Sequence, residues 1–154
     1  MPADLVRWRA ERDAVREEVL RLGYDDRLKS FVQSYGSQTL DAANLLLPSV
    51  GFIEAGDSRM RSTIDAVRRS LVSNGLVYRY RDDDGLSGKE AAFGACAFWL
   101  VDNLTALGLV DEATALFESM IARATPLGLF AEELDPRPAS TSAIFRRRSR
   151  ISAS

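Results

Sequence analysis

Ala91-Ala92-Phe93-Gly94-Ala95-Cys96-Ala97-Phe98-Trp99-Leu100-Val101 is the stretch on which the fold turns. Wound as a helix over 90–107, it is apolar nearly all round, so it has to be covered on every side. The neighbouring segments differ. Residues 58–72 carry Met60, Ile64, Val67 and Leu71 at helical spacing, with Asp57 or Ser58 as the N-cap, and residues 111–124 set Ala113, Leu116, Phe117, Met120 and Ile121 on one stripe. Each of those needs cover on one face only.

The same alternation runs back to the start. Residues 3–22 put Leu5, Trp8, Val15, Val19 and Leu22 on one stripe and close at Gly23, whereas Leu40, Ala42, Ala43, Leu45, Leu46 and Leu47 leave almost no polar face before Pro48 stops the run over 39–47. Outer, inner, outer, inner, outer is the order of helical hairpins laid in two concentric layers. The predicted fold is all-α, a partial α/α toroid made of alternating inner and outer helices. A four-helix bundle would need helices of one kind, and no fixed repeat marks a solenoid. In a toroid, active sites lie in the loops joining inner and outer helices. Two such loops stand out. One is 73–89, with Gly75, Gly85, Gly88 and a strand-like Leu76-Val77-Tyr78-Arg79-Tyr80; the other is 126–136.

Composition limits the chemistry those loops can hold. The chain has 154 residues, one domain's worth, with 46% hydrophobic and 27% charged residues and a net charge of −2, a balance with no bias towards nucleic acid or membrane. The Arg- and Glu-rich N-terminal region is unlike a signal peptide and no apolar run is long enough to span a bilayer, so the expected setting is cytoplasmic. With no histidine there is no Ser-His-Asp triad and no His-ligated zinc, and the lone Cys96 forms neither an internal disulfide nor a thiolate cluster. No Gly-rich phosphate loop appears, and no cofactor or metal is expected. Carboxylates, Arg, Lys, Tyr and hydroxyls remain. Among them the adjacent pair Glu132-Glu133, in the apolar loop Gly128-Leu-Phe-Ala-Glu-Glu-Leu-Asp-Pro136, is where a general base could be built, a solvated acid pair being the plainer alternative.

Taken in order, four motifs resemble one family. Leu40-Asp-Ala-Ala-Asn-Leu-Leu-Leu-Pro48 with Gly51-Phe52, Gly75-Leu-Val-Tyr-Arg-Tyr80, Ala92-Phe93 with Phe98-Trp-Leu-Val101, and Gly128-Leu-Phe-Ala-Glu-Glu-Leu-Asp-Pro136 are similar to glycoside hydrolase family 15, the glucoamylase-like enzymes, in their bacterial glucoamylase/trehalase-type branch. The resemblance covers residues 4 to 138. It implies an inverting α-glycosidase on an (α/α)6 barrel, in which two carboxyl groups roughly 6.5–9.5 Å apart protonate the leaving oxygen and activate water.

The resemblance also distributes roles. The family's general base falls on Glu132. Arg79 and Tyr80 match the pair that holds glucose hydroxyls near the cleavage point, a guanidinium fork gripping two oxygens and a ring packing on the sugar's apolar face. Glu90 stands where bacterial members carry Gly-Glu-Gly-Ala-Phe, but the run here is Gly88-Lys-Glu-Ala-Ala-Phe93; it is a third substrate-binding candidate, with a carboxylate favoured by a helix N-terminus as the alternative. Trp8, Cys96, Phe98 and Trp99 read as core. The family's general acid lies upstream of anything resembling Met1. The expectation is therefore the C-terminal portion of the catalytic domain over 1–138, inactive alone, with the upstream half of the barrel as its polypeptide partner and a glucoside or oligosaccharide as substrate.

After Pro136 the composition shifts to a basic run holding Arg146, Arg147, Arg148 and Arg150. A coding string for the family's usual continuation, read from its second base, reproduces Ala139 to Ser154. The expectation for 139–154 is a disordered, frame-shifted tail following a base lost near the codon of Pro138. Two readings compete with the glycosidase: a non-catalytic helical interaction module, and a nucleic-acid-associated protein using the Arg tail. The acidic overall balance counts against the second of these.

Overall fold

The computed structural model describes residues 4–81 and 92–134. Four helices carry the chain. Helix α1 spans Leu5–Leu22, α2 spans Ser58–Leu71, α3 spans Gly94–Ala106 and α4 spans Val110–Ile121. Three antiparallel pairs of two-residue strands join them: β1 (Tyr24–Asp25) with β2 (Ser30–Phe31), β3 (Val72–Ser73) with β4 (Leu76–Val77), and β5 (Ala92–Phe93) with β6 (Glu133–Leu134).

Helix α2 begins where an acceptor frees it to begin. Asp57, in extended backbone, accepts the Arg59 amide at 2.9 Å as N-cap, and Met60, Thr63, Ile64, Val67 and Leu71 then bury one face. Thr63 turns its hydroxyl to Arg59 O and accepts the Phe31 amide at 3.0 Å, which docks the β1–β2 hairpin on this helix. Helix α2 leads into β3, and Asn74 and Gly75, with φ of 52° and 72°, make the two-residue turn into β4. Positive φ at both positions matches the right-handed twist of the strands. What was expected as a long loop from residue 73 therefore opens as a tight hairpin.

The expected helix over 39–47 is corrected to a 3-10 helix of five residues, Ala42–Leu46. Asp41 caps it from extended backbone; Leu47 is still helical in φ and ψ, but Pro48 has no N–H with which to continue the ladder, and the chain goes on in turns. The apolar character still finds cover, because Ala42 and Leu45 are buried. Asn103 of α3 clamps this turn, its Nδ2 donating to Leu45 O and to Trp99 O, both at 2.8 Å.

Helix α3 packs into the core. Cys96, Ala97, Leu100 and Leu104 join one core with Phe31, Leu45, Met60, Ile64, Leu76 and Met120. Phe98 and Trp99 lie half-buried at its edge. Gly108, at φ 76°, reverses the chain so that α4 returns along α3, and Arg68 of α2 pairs with Glu112 of α4 across the outside.

Helix α1 departs from expectation. None of its residues is buried, and Trp8, read from its spacing as core, is 61% exposed. The helix is held near its C-terminal end, where Arg59 of α2 reaches Leu20 O at 3.4 Å. Periodicity gives α1 an apolar stripe, but nothing among the described residues covers its first turns.

Candidate functional site

Glu132 owes its position to a glycine. Strand β6 pairs with β5 so that Ala92 faces Leu134 and Phe93 faces Glu133, and the Gly94 amide donates to the Glu132 carbonyl at 3.0 Å. A Cβ on Gly94 would sit 3.3 Å from Ala131 O and 3.6 Å from Leu134 Cδ1. A side chain there would press on the backbone of this segment, which would have to give by a few tenths of an ångström. The backbone of Glu132 is thus fixed to the most buried helix, while the residue itself stays exposed.

Arg79 is anchored twice to the 3-10 turn. Its carbonyl accepts the Ala42 amide at 2.7 Å, and its Nε lies 3.6 Å from Asp41 Oδ1. The guanidinium side is 49% exposed and the carboxylate side only 10%, so Asp41 is the fixed member of the pair. Asp41 Oδ1 also accepts the Ala43 amide at 2.7 Å. Tyr80 follows, half-buried, and Arg81 stacks 4.6 Å above the Tyr78 ring.

The two segments approach the same end of α3. Strand β4, which delivers Arg79 and Tyr80, packs beside β5, which carries β6 and Glu132. Electrostatics agree. The Cys96 thiol in the first turn of α3 is pushed up to about 12, first by burial and then by the Asp41 charge, with Arg79 opposing. An exposed carboxylate, a half-exposed guanidinium and a half-buried phenol on one rim are suited to gripping hydroxyls. Glu90, the third binding candidate, lies outside the described residues.

Asp41 did not stand out as a site residue from the sequence. Its signal was available: a lone carboxylate at the head of the apolar run 42–47 needs either a cap or a cation, and it has both. A cleft of about 620 Å³ opens elsewhere, between α1 and the turn 50–52, and is lined by Arg12, Arg16 and Phe52 but by no candidate residue. The Arg16 guanidinium lies 5.5 Å from the centre of the Phe52 ring at its wall. The candidate groups named from the sequence lie around α3 and not in this cleft. Among the described residues no group of three or more His, Cys, Asp or Glu could hold a metal ion, and no helix is long and apolar enough to cross a membrane.

Comparison with known proteins bears on this arrangement. The profile of Glycosyl hydrolases family 15 matches residues 1–146. A trehalase of Thermoplasma volcanium is 38% identical over 138 residues, and a trehalase of Mycobacterium tuberculosis is 44% identical over 133. These alignments take in 89% and 84% of this chain but 22% and 19% of the relatives, so the chain spans about a fifth of their length. Among solved structures, a wild-type glycosidase superposes with a TM-score of 0.67 at 24% identity, over 79% of this chain and 32% of that one. A variant glycosidase in complex with glucose gives the same TM-score at 22% identity and the same coverage. The chain belongs to glycosyl hydrolase family 15.

Proposed function

We propose that this chain supplies the general base and part of the sugar grip of an inverting α-glycosidase acting on terminal glucosidic bonds. In this reading Glu132 takes a proton from the attacking water, Arg79 holds a pair of glucose hydroxyls, Tyr80 packs on the ring, and Glu90 contributes to substrate binding. The observation that carries it is the anchoring of Glu132 to Gly94 on the same rim of α3 as Arg79. Trehalose is the favoured substrate because the relatives bear that activity in their names. No cofactor is called for, and the expected setting is the cytoplasm.

Inversion needs a second carboxyl on the far side of the bond. In this reading the general acid comes from outside the matched segment, and the chain by itself binds sugar without hydrolysing it. The partial toroid is the corresponding architectural proposal, in which α3 is an inner helix and α4 an outer one. Mixing the chain with the preceding portion of the Mycobacterium tuberculosis trehalase and following glucose release from trehalose tests this reading. Release that requires both parts supports it.

The exposed stripe of α1, with Leu5 at 55% and Val15 at 61%, favours a second reading, a non-catalytic helical interaction module. Tight association of the two parts without any glucose release would favour that module.

A further inference from the structure

We propose that Asp41 is a positioning residue for the sugar grip, aiming the Arg79 guanidinium at the α3 rim; this rests on the sugar-binding role assigned above to Arg79. Three observations point to it. Asp41 is 8% exposed, and a buried carboxyl group needs polar partners. Its Oδ1 is held in place by the Ala43 amide at 2.7 Å, so the charge cannot follow a moving cation. Arg79 is tethered at both ends of its length, its carbonyl by Ala42 and its Nε by Asp41.

An Nε contact leaves both terminal Nη groups of the guanidinium fork available. Those are the donors that match a pair of sugar oxygens, whereas a carboxylate bound across the Nη groups would compete with substrate. Asp41 therefore orients the fork without occupying it. Cys96, packed behind in the first turn of α3, is neutral and offers Arg79 no competing charge. Strand β4, which leads into Arg79, neighbours β5, to which the Glu132 segment is pinned through Gly94.

Asp41→Asn is the informative substitution, because Asn caps a helical turn about as well as Asp and removes only the charge. Two readouts on the full chain separate the parts of the proposal. In ¹⁵N-edited spectra, with the Arg79 Nε–H assigned by its loss in Arg79→Gln, Asp41→Asn shifts that signal and speeds its solvent exchange. In titrations with trehalose, Asp41→Asn weakens binding roughly two- to fivefold, the scale of a partly exposed ion pair. The same substitution made in the Arg79→Gln background has no further effect.

Multiplicative losses in the double variant would overturn the proposal, since Asp41 would then act independently of Arg79. An unmoved Nε–H signal would overturn it even if trehalose binds. If the signal moves but the wild-type chain binds no trehalose, the sugar-site reading falls, and the positioning role falls with it.

Discussion

The Gly94 amide donates to the Glu132 carbonyl at 3.0 Å, and an added Cβ there would meet Ala131 O at 3.3 Å. Gly94→Ala is therefore expected to move the Glu132 segment off α3. Overpacking against backbone costs roughly 1–3 kcal/mol, while the gain in helix propensity is at most about 1 kcal/mol and smaller in a first turn. Sterics should win, giving a net destabilisation of about 0.5–2 kcal/mol in urea unfolding. An unchanged or raised midpoint would mean that the segment yields without cost.

Asn103 joins α3 to the 3-10 turn through the hydrogen bond from its Nδ2 to Leu45 O, the same Nδ2 also donating back to Trp99 O within α3. Its truncation in Asn103→Ala leaves the buried Leu45 carbonyl without that donor. A loss of about 1–3 kcal/mol is expected, larger than for any exposed substitution on α1. Parallel urea titrations of Asn103→Ala and Trp8→Ala make the comparison, and equal effects would contradict the packing described for these two helices.

Asp57 caps α2, and its carboxyl is held below the usual range by the Arg59 amide. A lowered acid pKa means that folding favours the ionised form. The contribution is therefore present above the ordinary value of 3.8 and is lost as pH falls through the lower, folded one. Asp57→Ala should cost about 0.5–2 kcal/mol at neutral pH. Its deficit relative to wild type should shrink as the solution is acidified below pH 3.8. A deficit independent of pH would show that the charge contributes nothing.

Cys96 gives the opposite dependence. Burial raises its thiol from 9.0 to about 12, so folding favours the neutral form. That contribution is complete below pH 9.0 and is lost as pH climbs towards 12. At pH 8 an alkylating reagent should leave the folded chain untouched and label it fully in urea. Labelling of the folded chain at the rate of a small thiol would contradict the buried placement.

Helix placement was legible where spacing alone decides it. The stripe of Met60, Ile64, Val67 and Leu71 gave α2, with Asp57 as the cap of the two candidates Asp57 and Ser58, and the apolar run gave α3 as a helix packed into the core. Periodicity reports that a helix has an apolar face but not whether anything covers it, so Trp8 was misplaced in the core. Local chemistry could have disclosed two further features. Pro48 close behind Asp41 limits the intervening run to a 3-10 turn, and Asn74-Gly75 between apolar pairs is a hairpin signal. The pairing of Ala92–Phe93 with Glu133–Leu134 was not readable, because strands of two residues far apart in the chain carry no register of their own. Arg79, Tyr80 and Glu132 were named from family resemblance. The Asp41 contact that orders Arg79 depends on tertiary placement.

The most direct test of Glu132 as the base is made on a single polypeptide joining the preceding portion of the Mycobacterium tuberculosis trehalase to this chain. Trehalose hydrolysis is followed by ¹H NMR of the anomeric protons. With Glu132 intact, inversion should release α- and β-glucose in equal initial amounts, and Glu132→Gln should lower the rate roughly 10²- to 10⁴-fold without weakening trehalose binding. Release of α-glucose alone, or a Glu132→Gln variant as active as its parent, would contradict the assignment.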